Sequence, residues 1–382
     1  MFTRDDLRAL ALAEPAHPIL SVYARTDPRD PANTARVPAW EVALRNGLRA
    51  VSERLESGED REQRLAFRAL AARVERETID LGPSERARSL AVFVDAEGDF
   101  SQRLSLRLPV RRDVVVWDAR PFVSPLVDIA DRGAATGVVL VDGERVRLLH
   151  VEQGHASEPE DSTYALTLED WRPYEAYTSP GAGGAHGGVS QADRFDALVE
   201  EQRAKLFDGA AVATARRLER LGWERVVVAA EGSMAARFGS AMPAALRSRV
   251  AASLDFNPGD SGPAAIAAAL EPLLEELWLR DSVAIAELAR DRVLAGGAAT
   301  LGPQDTLSAL AASSVDHLLL DPEGDFRDVA GMVPASIGGP PELLGERAVE
   351  LAISVGARVS ALPAGASRAL DEAGGMAALL RY

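Results

Sequence analysis

A chain of 382 residues is too long for one ordinary hydrophobic core, so two or three domains are expected. The absence of cysteine excludes disulfides, thiolate catalysis and thiolate metal sites, and no apolar run is long enough for a membrane span, which fits a cytoplasmic protein. The formal net charge of −16 argues against non-specific nucleic-acid binding, so a nucleic-acid partner would have to contact a local patch of arginines.

Residues 1–132 are expected to form a first αβ domain. Apolar residues at helical spacing predict its helices, and dense or alternating apolar runs predict its strands. The predicted elements are a short helix over 5–13, a strand at 19–23, two helices within 39–78 separated by Gly58-Glu59-Asp60, and strands at 89–94, 100–108 and 113–117.

A second domain is expected over residues 133–256, with a glycine-rich loop as its most unusual feature. It opens with two apolar strands on either side of Asp142-Gly143, which is a hairpin turn signal. The loop follows at 179–188, and a long helix is predicted from Gln191 to about Leu221. A buried strand over 226–230 and two shorter helices complete the predicted domain.

Residues 257–382 are expected to form a third αβ domain, because helical patterns alternate there with single apolar strands. The predicted fold class is therefore α/β with three αβ domains. The middle domain has a mixed sheet that bears the glycine-rich loop and the long helix, and the last is an α-β-α sandwich. Its predicted elements are helices over 264–278 and 283–294, a strand at 315–320, a helix over 342–355 and a strand at 357–362.

The chemistry of the second domain is expected at the end of the glycine-rich loop, whose last glycines allow the backbone to approach a ligand closely. Ser190 fits a helix N-cap that accepts a hydrogen bond from the amide of Asp193, which makes Gln191 the first helical residue. A side-chain amide at that place can position a water and stabilise a developing oxyanion on an ester carbonyl. The alternative from the pattern alone is a flexible linker ahead of a capped helix.

Four stretches of the chain carry a resemblance to one family. The segment GGVSQADRFDALVEEQRAKLF, from Gly187 to Phe207, resembles the Gly-Gly-Gln loop and following helix of archaeal and eukaryotic class-one release factors. The strand pair over 137–154 resembles the opening of the same middle domain, and residues 118–129 resemble the segment that joins the family's first and middle domains. The closing GGMAALLRY is similar to the end of the third domain in release factors and Pelota.

The chain also departs from this family at two places. In release factors a glutamine directly follows the two glycines, whereas Val189 and Ser190 intervene here. The resulting Gly188-x-x-Gln191 spacing resembles the Vms-type peptidyl-tRNA hydrolases. No counterpart of the Asn-Ile-Lys-Ser stop-codon element is present, since the only lysine is Lys205, so decoding of stop codons is not expected.

The resemblance implies a stop-codon-independent peptidyl-tRNA hydrolase that acts in ribosome rescue or quality control. Its partners would be the ribosome, through rRNA, and peptidyl-tRNA, with a translational GTPase as a further candidate, and it would need no metal or organic cofactor. The alternative is a non-catalytic ribosome-binding hibernation factor of the Pelota or Balon type. The implied catalytic residues are Gln191, Gly187 and Gly188, and the implied binding residues are Ser190, His186 and Arg194.

Other candidate residues are histidines and arginines. None of the five histidines has a metal-ligand spacing, and only His186 lies in the loop, where it is solvated or contacts RNA phosphate. Two groups of arginines are either RNA contacts or ion-paired surface residues. They are Arg103, Arg107, Arg111 and Arg112, and Arg216, Arg217 and Arg220.

Overall fold

The computed structural model describes residues 2–58, 61–166, 191–256, 259, 261–332, 334, 337–363 and 365–382. The predicted α/β class is confirmed, because helices alternate with strands that form three sheets. The chain falls into two compact units, Met1–Gly133 together with Pro272–Tyr382, and Ala134–Glu271. The division into three domains at 132/133 and 256/257 stays a prediction about which segments fold independently. No helix in the described part of the chain is long and apolar enough to cross a membrane.

The N-terminal part of the first unit is an antiparallel sheet with the strand order β3-β2-β1-β4. Alternate residues of β1 face opposite ways, and Leu20 and Val22 pack on two long helices through residues such as Trp40 and Phe67. The elements are α1 (Arg4–Ala11), β1 (Ile19–Ala24), α2 (Ala39–Glu56), α3 (Arg61–Asp80), α4 (Pro83–Arg86), β2 (Ser89–Asp95), β3 (Ser101–Leu106), β4 (Val114–Asp118) and α5 (Ser124–Arg132).

The second unit has the predicted mixed sheet, in the order β10-β9-β5-β6-β7, with β8 also paired to β6. Strand β5 is antiparallel to β6 across the Asp142-Gly143 turn and parallel to β9. The elements are β5 (Thr136–Val141), β6 (Arg145–Glu152), β7 (His155–Ser157), β8 (Thr163–Ala165), α6 (Gln191–Arg220), β9 (Arg225–Ala230), α7 (Met234–Ala241), α8 (Ala244–Arg247) and β10 (Val250–Asp255).

The prediction for the last element of the second domain was wrong. The two shorter helices are present as α7 and α8, but they do not complete the domain, because Val250–Asp255 is a strand at the edge of the sheet, parallel to β9. Its sequence, VAASLD, contains two alanines and only one β-branched residue, so local propensity favours no strand. Pairing with the buried β9 determines the structure of this segment instead.

The C-terminal part of the first unit is the predicted α-β-α sandwich. Its sheet has the order β11-β14-β12-β13. Leu318 and Leu320 face the core that contains α10 and α11, whereas Leu319 between them packs with Ala286 and Ala289 of α9. The elements are α9 (Pro263–Leu294), β11 (Ala299–Leu301), α10 (Pro303–Ala311), β12 (Val315–Leu320), α11 (Leu344–Ser354), β13 (Arg358–Ala361), α12 (Arg368–Glu372) and β14 (Met376–Leu380).

The prediction of two separate helices over 264–278 and 283–294 was wrong, because α9 is one helix of 32 residues. The intervening residues contain no glycine or proline, and Ser282 among them is buried, so packing continues through the expected break. Pro272 lies inside the helix. The residues before Pro272 belong to the second unit, and those from Pro272 onward belong to the first.

Candidate functional site

The described part of helix α6 runs from Gln191 to Arg220, which confirms the long helix predicted there, and the cap at Ser190 stays a prediction. The other predicted site residues, Gly187, Gly188, Ser190 and His186, lie outside the described residues, and so do the side chains of Gln191 and Arg194. Their roles stay predictions. The structure describes the chain on either side of them. We call these two parts, β8 with the turn before it and α6, the frame of the site.

The second half of α6 is fixed to the sheet by an apolar face. Phe207, Ala210 and Ala211 are buried against residues of β5, β6 and β9. The ring of Phe207 meets Phe238 of α7 edge to face, with centroids 5.7 Å apart and an interplanar angle of 85°. By contrast, none of the side chains from Phe195 to Leu206 is buried. The fully buried face of α6 therefore starts at Phe207, about 24 Å along the helix from Gln191 at about 1.5 Å per residue.

Both ends of the frame are joined to the turn between β5 and β6. On the entry side, the backbone amide of Leu166 donates to the carbonyl of Glu144 at 2.8 Å. On the exit side, Nε of Arg203 in α6 donates to the carbonyl of Gly143 at 2.9 Å. Gly143 and Glu144 are neighbours in the chain. The two hydrogen bonds therefore attach Leu166, the last described residue before the loop, and Arg203 of α6 to the same turn.

Glu200 connects the same region of α6 to α7. Its carboxylate accepts hydrogen bonds from Arg237 of α7 and from Arg203. The hydrogen bond from Arg237, together with the positive charge of Arg203, lowers the pKa of Glu200, so the carboxylate stays ionised near neutral pH. The neighbouring Glu201 is exposed and pairs with exposed Lys205 at 2.8 Å.

A second connection lies deeper along α6, at Arg217. Its guanidinium donates to the carbonyl oxygens of Glu160 and Asp161 at 2.8 and 2.6 Å, and to the hydroxyl of Tyr164 at 2.8 Å. Arg217 is 8% exposed, so it is part of the interior and not an RNA contact. The sequence contained one signal for this: Ala210, Thr214 and Arg217 follow the i, i+4, i+7 spacing of the buried face.

The other arginines from the two predicted groups divide into two sets. Arg111 pairs with Asp128 at 2.9 Å and Arg112 with Glu323 at 3.4 Å, so both belong to ion-paired surface. The remaining four are exposed and have no carboxylate partner among the residues that the structure describes. They are Arg103, Arg107, Arg216 and Arg220.

Two of the described histidines, His150 and His317, have structural contacts. Nδ1 of His150 accepts a hydrogen bond from the indole of Trp223 at 2.9 Å, and buried His317 contacts the hydroxyl of Ser360 at 3.0 Å. Within the described ranges, no group of three or more histidines and carboxylates could hold a metal ion.

These features define an α/β protein with several sheets. In its second unit, a long helix follows a glycine-rich loop in the sequence. Residues 121–273 match the sequence model of bacterial archaeo-eukaryotic release factor family 10. This segment is therefore similar to the bacterial branch of the archaeo-eukaryotic release factor family, which confirms the resemblance seen in the sequence. The Vms-type spacing at Gln191 is not tested by this match and stays a prediction.

Individual relatives are more distant. The chain is 24% identical over 223 residues to the uncharacterized protein YocB of Bacillus subtilis (strain 168), covering 57% of this chain and 79% of that one. Among solved structures it is similar to the archaeal translation termination factor aRF1, with 18% identity, a TM-score of 0.26 and 99% and 96% of the two chains covered. It is also similar to Pelota of Archaeoglobus fulgidus, with 14% identity, a TM-score of 0.34 and 77% and 79% covered. At these scores no residue of this chain is placed on a residue of those proteins.

Proposed function

We propose that this protein is a ribosome-associated peptidyl-tRNA hydrolase that acts in the cytoplasm without reading a stop codon. The observation that supports this most is the position of α6. Its described part begins at Gln191, shortly after the glycine-rich loop in the sequence, and both lie within the part of the chain that matches the release factor family. Similarity to that family over residues 121–273 supports a role at the ribosome.

The reaction is the hydrolysis of the ester that joins the peptide to the terminal ribose of tRNA. Water attacks the carbonyl carbon, a tetrahedral oxyanion forms, and the ribose oxygen leaves with a proton. Gln191 would place the water or the oxyanion through its side-chain amide, at a helix start where backbone N–H groups are unpaired and the dipole is positive. Gly187 and Gly188 would allow the backbone close to the ester. Because an amide is a poor base, the ester and its surroundings must supply the proton transfer.

The length of α6 before its buried face suits a substrate that lies in an enclosed site. The buried face of α6 starts at Phe207 and its hydrogen bonds to the rest of the unit start at Glu200, so Gln191 lies about 14 Å along the helix from the first of these contacts. The hydrogen bonds of Arg203 and Arg217 fix the direction of α6 relative to the sheet, and a reaction in a deep site requires such a fixed direction. The proposed chemistry needs neither a metal nor an organic cofactor.

The proposed macromolecular partners are rRNA and peptidyl-tRNA, with a translational GTPase as a further candidate. Because the net charge is −16, phosphate contacts must be local. The four exposed arginines without carboxylate partners in the described structure, Arg103, Arg107, Arg216 and Arg220, are the proposed contacts, and His186 and Arg194 are proposed to reach the tRNA end.

A non-catalytic ribosome-binding factor of the hibernation type is the second candidate. The observation that favours it is the register of the loop, in which Val189 and Ser190 separate the two glycines from Gln191. Two assays on the same ribosomes separate the candidates: cosedimentation reports binding, and loss of labelled peptide from stalled complexes reports hydrolysis. Binding with release supports the hydrolase, and binding without release supports the second candidate. Absence of binding contradicts both.

A further inference from the structure

We propose that strand β4 and the cleft beside it form a docking groove for an extended, basic segment of a partner protein. The partner segment would add to the sheet as a further strand, and its arginine or lysine side chains would meet carboxylates of the cleft. We call this surface, Val114–Asp118 with residues 320–327 and 342–346, the β4 groove. It lies within the first unit of the chain, and the inference does not depend on the proposed hydrolase activity.

Strand β4 is an unprotected edge of its sheet. It is last in the order β3-β2-β1-β4, and no strand in the described part of the chain pairs with its other edge. All five of its residues are half-buried, and the run from Val114 to Trp117 contains no charged residue, proline or glycine. Native edge strands are usually shielded by such residues, because their free backbone groups pair readily with another strand. Strand β4 is therefore able to accept a further strand.

The opposite edge strand, β3, carries the protection that β4 lacks. Its sequence, SQRLSL, has polar side chains at four of six positions, and Arg103 among them is exposed. The hydroxyl of Ser105 also donates a hydrogen bond to the carbonyl of Glu85 in α4, so a neighbouring helix contacts this strand. The two edges of one sheet thus differ, and only β4 combines an apolar sequence with an adjoining cleft.

The cleft beside β4 has a volume of about 390 Å³ and a mixed lining. Its apolar part includes Val114 and Val116 of β4 together with Phe122 and Phe326. Five carboxyl groups and two guanidinium groups also line it. They belong to Asp321, Glu323, Asp325, Glu342 and Glu346, and to Arg112 and Arg327. The cleft is therefore apolar in part and carries an excess of acidic groups.

Most of the charged groups of the cleft already have partners. Arg112 lies 3.4 Å from Glu323, and Arg327 pairs with Asp325. Buried Glu346 accepts hydrogen bonds from the start of α5. These groups are paired or hydrogen-bonded within the chain, so they do not determine which ligand the cleft prefers.

Asp321 and Glu342 are the carboxylates that remain for a partner. Neither forms a salt bridge with any residue that the structure describes. Burial raises the pKa of Asp321, with a smaller contribution from the negative charges of Glu323 and Asp371. A cationic side chain would stabilise the ionised form of both carboxylates, whereas the phosphates of a nucleic acid would be repelled. The chemistry that fits is a lysine or arginine next to an apolar side chain.

The cleft is formed before a partner binds, because the segment that follows β12 is fixed to the core through Phe326. This ring is 4% exposed, and a Cβ atom on Gly324 or Gly345 would come within 2.6 or 3.0 Å of it. The amide of Asp321 also donates to the carbonyl of Gly375 at 2.8 Å. A preformed groove loses little conformational entropy when a partner binds.

The test measures binding of two fluorescein-labelled peptides to the full-length protein by fluorescence anisotropy. The basic peptide is four repeats of Arg-Val, and the control peptide is four repeats of Glu-Val. We expect saturable binding of the basic peptide below about 1 mM and no binding of the acidic peptide. Absence of saturable binding of the basic peptide in this range, or equal binding of both peptides, would overturn the proposal.

Variants of the protein locate the binding. Asp321→Asn combined with Glu342→Gln removes the two available carboxylates, and Glu53→Gln combined with Glu62→Gln removes two exposed carboxylates outside the groove as a charge-matched control. Val116→Lys places a cation on β4. We expect the first pair to weaken binding of the basic peptide about tenfold, Val116→Lys to abolish it, and the control pair to stay within about twofold of wild type. Equal affinities for the two pairs would show that the groove is not the binding site.

Amide hydrogen exchange tests whether the peptide adds as a strand. We expect the basic peptide to slow exchange over residues 113–118 and to leave β3 unchanged. If β4 gains no protection, or if spermidine displaces the peptide as effectively as unlabelled peptide does, the groove binds cations without pairing and the proposal is wrong. These measurements use no ribosomes, so their outcome is separate from success or failure of the peptide-release assay.

Discussion

The indole ring of Trp223 lies directly on the backbone of Gly137, where a Cβ atom would come within 2.1 Å of Cε3 of the ring. Trp223 follows α6 in the chain, and Gly137 lies in β5, the central strand of the mixed sheet. The indole N–H donates to Nδ1 of His150 in β6 at 2.9 Å, which fixes the ring from its other side. The contact joins the end of α6 to two strands of the sheet.

We therefore expect Gly137→Ala to destabilise the second unit, because neither the backbone of β5 nor the hydrogen-bonded indole can move away from the added methyl. Overpacking of this kind lowers the free energy of unfolding by about 1–3 kcal/mol, measured by urea denaturation followed by tryptophan fluorescence.

Gly209 in α6 is the matched control for this change, since a Cβ there meets nothing within 4 Å. In a helix interior, Gly209→Ala should raise the free energy of unfolding by about 0.5–1 kcal/mol. Equal stability of Gly137→Ala and wild type would show that Trp223 does not require a glycine in β5.

Glu346 should give the first unit a pH-dependent stability. Its buried carboxylate accepts hydrogen bonds from the backbone of Val123, from the backbone of Ser124 at 3.1 Å and from the Ser124 hydroxyl. Burial raises the pKa of Glu346 to about 7, further helped by the charge of Glu350 and partly offset by these hydrogen bonds. In turn, burial, with a contribution from Glu346, raises the pKa of Tyr23 nearby.

Because its pKa is raised in the folded state, Glu346 takes up a proton on folding. Its contribution is fully present below the unfolded value of 4.5 and is lost as the pH rises through about 7. Glu346→Gln cannot titrate. The free energy of unfolding of wild type minus that of Glu346→Gln should therefore fall by about 2–3 kcal/mol between about pH 5 and about pH 8. Parallel profiles for the two proteins would contradict this.

Arg347 joins the same helix, α11, to the end of β4. Its guanidinium bonds to the carboxylates of Asp118 and Glu350, and all three side chains are at most 10% exposed. Arg347→Met would leave two carboxylates buried, although Arg120 still contacts Glu350 at 3.1 Å. We expect the free energy of unfolding to fall by about 3–5 kcal/mol, measured in urea.

The surface pair of Arg327 with Asp325 provides the comparison, since these side chains are 63% and 58% exposed. Arg327→Met should cost less than about 1 kcal/mol. If both variants lose the same amount, burial does not determine the strength of the Arg347 contacts.

The sequence predicted the elements whose residues carry a strong local pattern. Strand β9 is apolar from Val226 to Ala230, and α6 has a periodic apolar face, so both were found and their ends were predicted to within one residue. The alanine-rich strand β10 was missed because its structure depends on pairing with β9. The break predicted near residue 280 was wrong because packing continues α9 through it.

The frame of the site could not be predicted for a similar reason. Arg217 was predicted to be either an RNA contact or an ion-paired surface residue, and its shortest hydrogen bonds go to neutral oxygens more than 50 positions earlier in the chain. Every residue has a backbone carbonyl, so the sequence does not indicate which carbonyls an arginine contacts, and only the fold shows it. The resemblance to release factors was carried by short motifs, and the family match confirms it for residues 121–273.

The role of Gln191 in hydrolysis is tested most directly by peptide release from stalled ribosome–peptidyl-tRNA complexes. Gln202→Ala, on the same helix, is the control, because glutamine and alanine are both good helix formers. We predict that Gln191→Ala lowers the release rate about 100-fold while ribosome cosedimentation is retained, and that Gln202→Ala releases peptide like wild type. Equal release by Gln191→Ala and wild type would contradict the catalytic role, and ribosome binding without release by wild type would favour the hibernation factor.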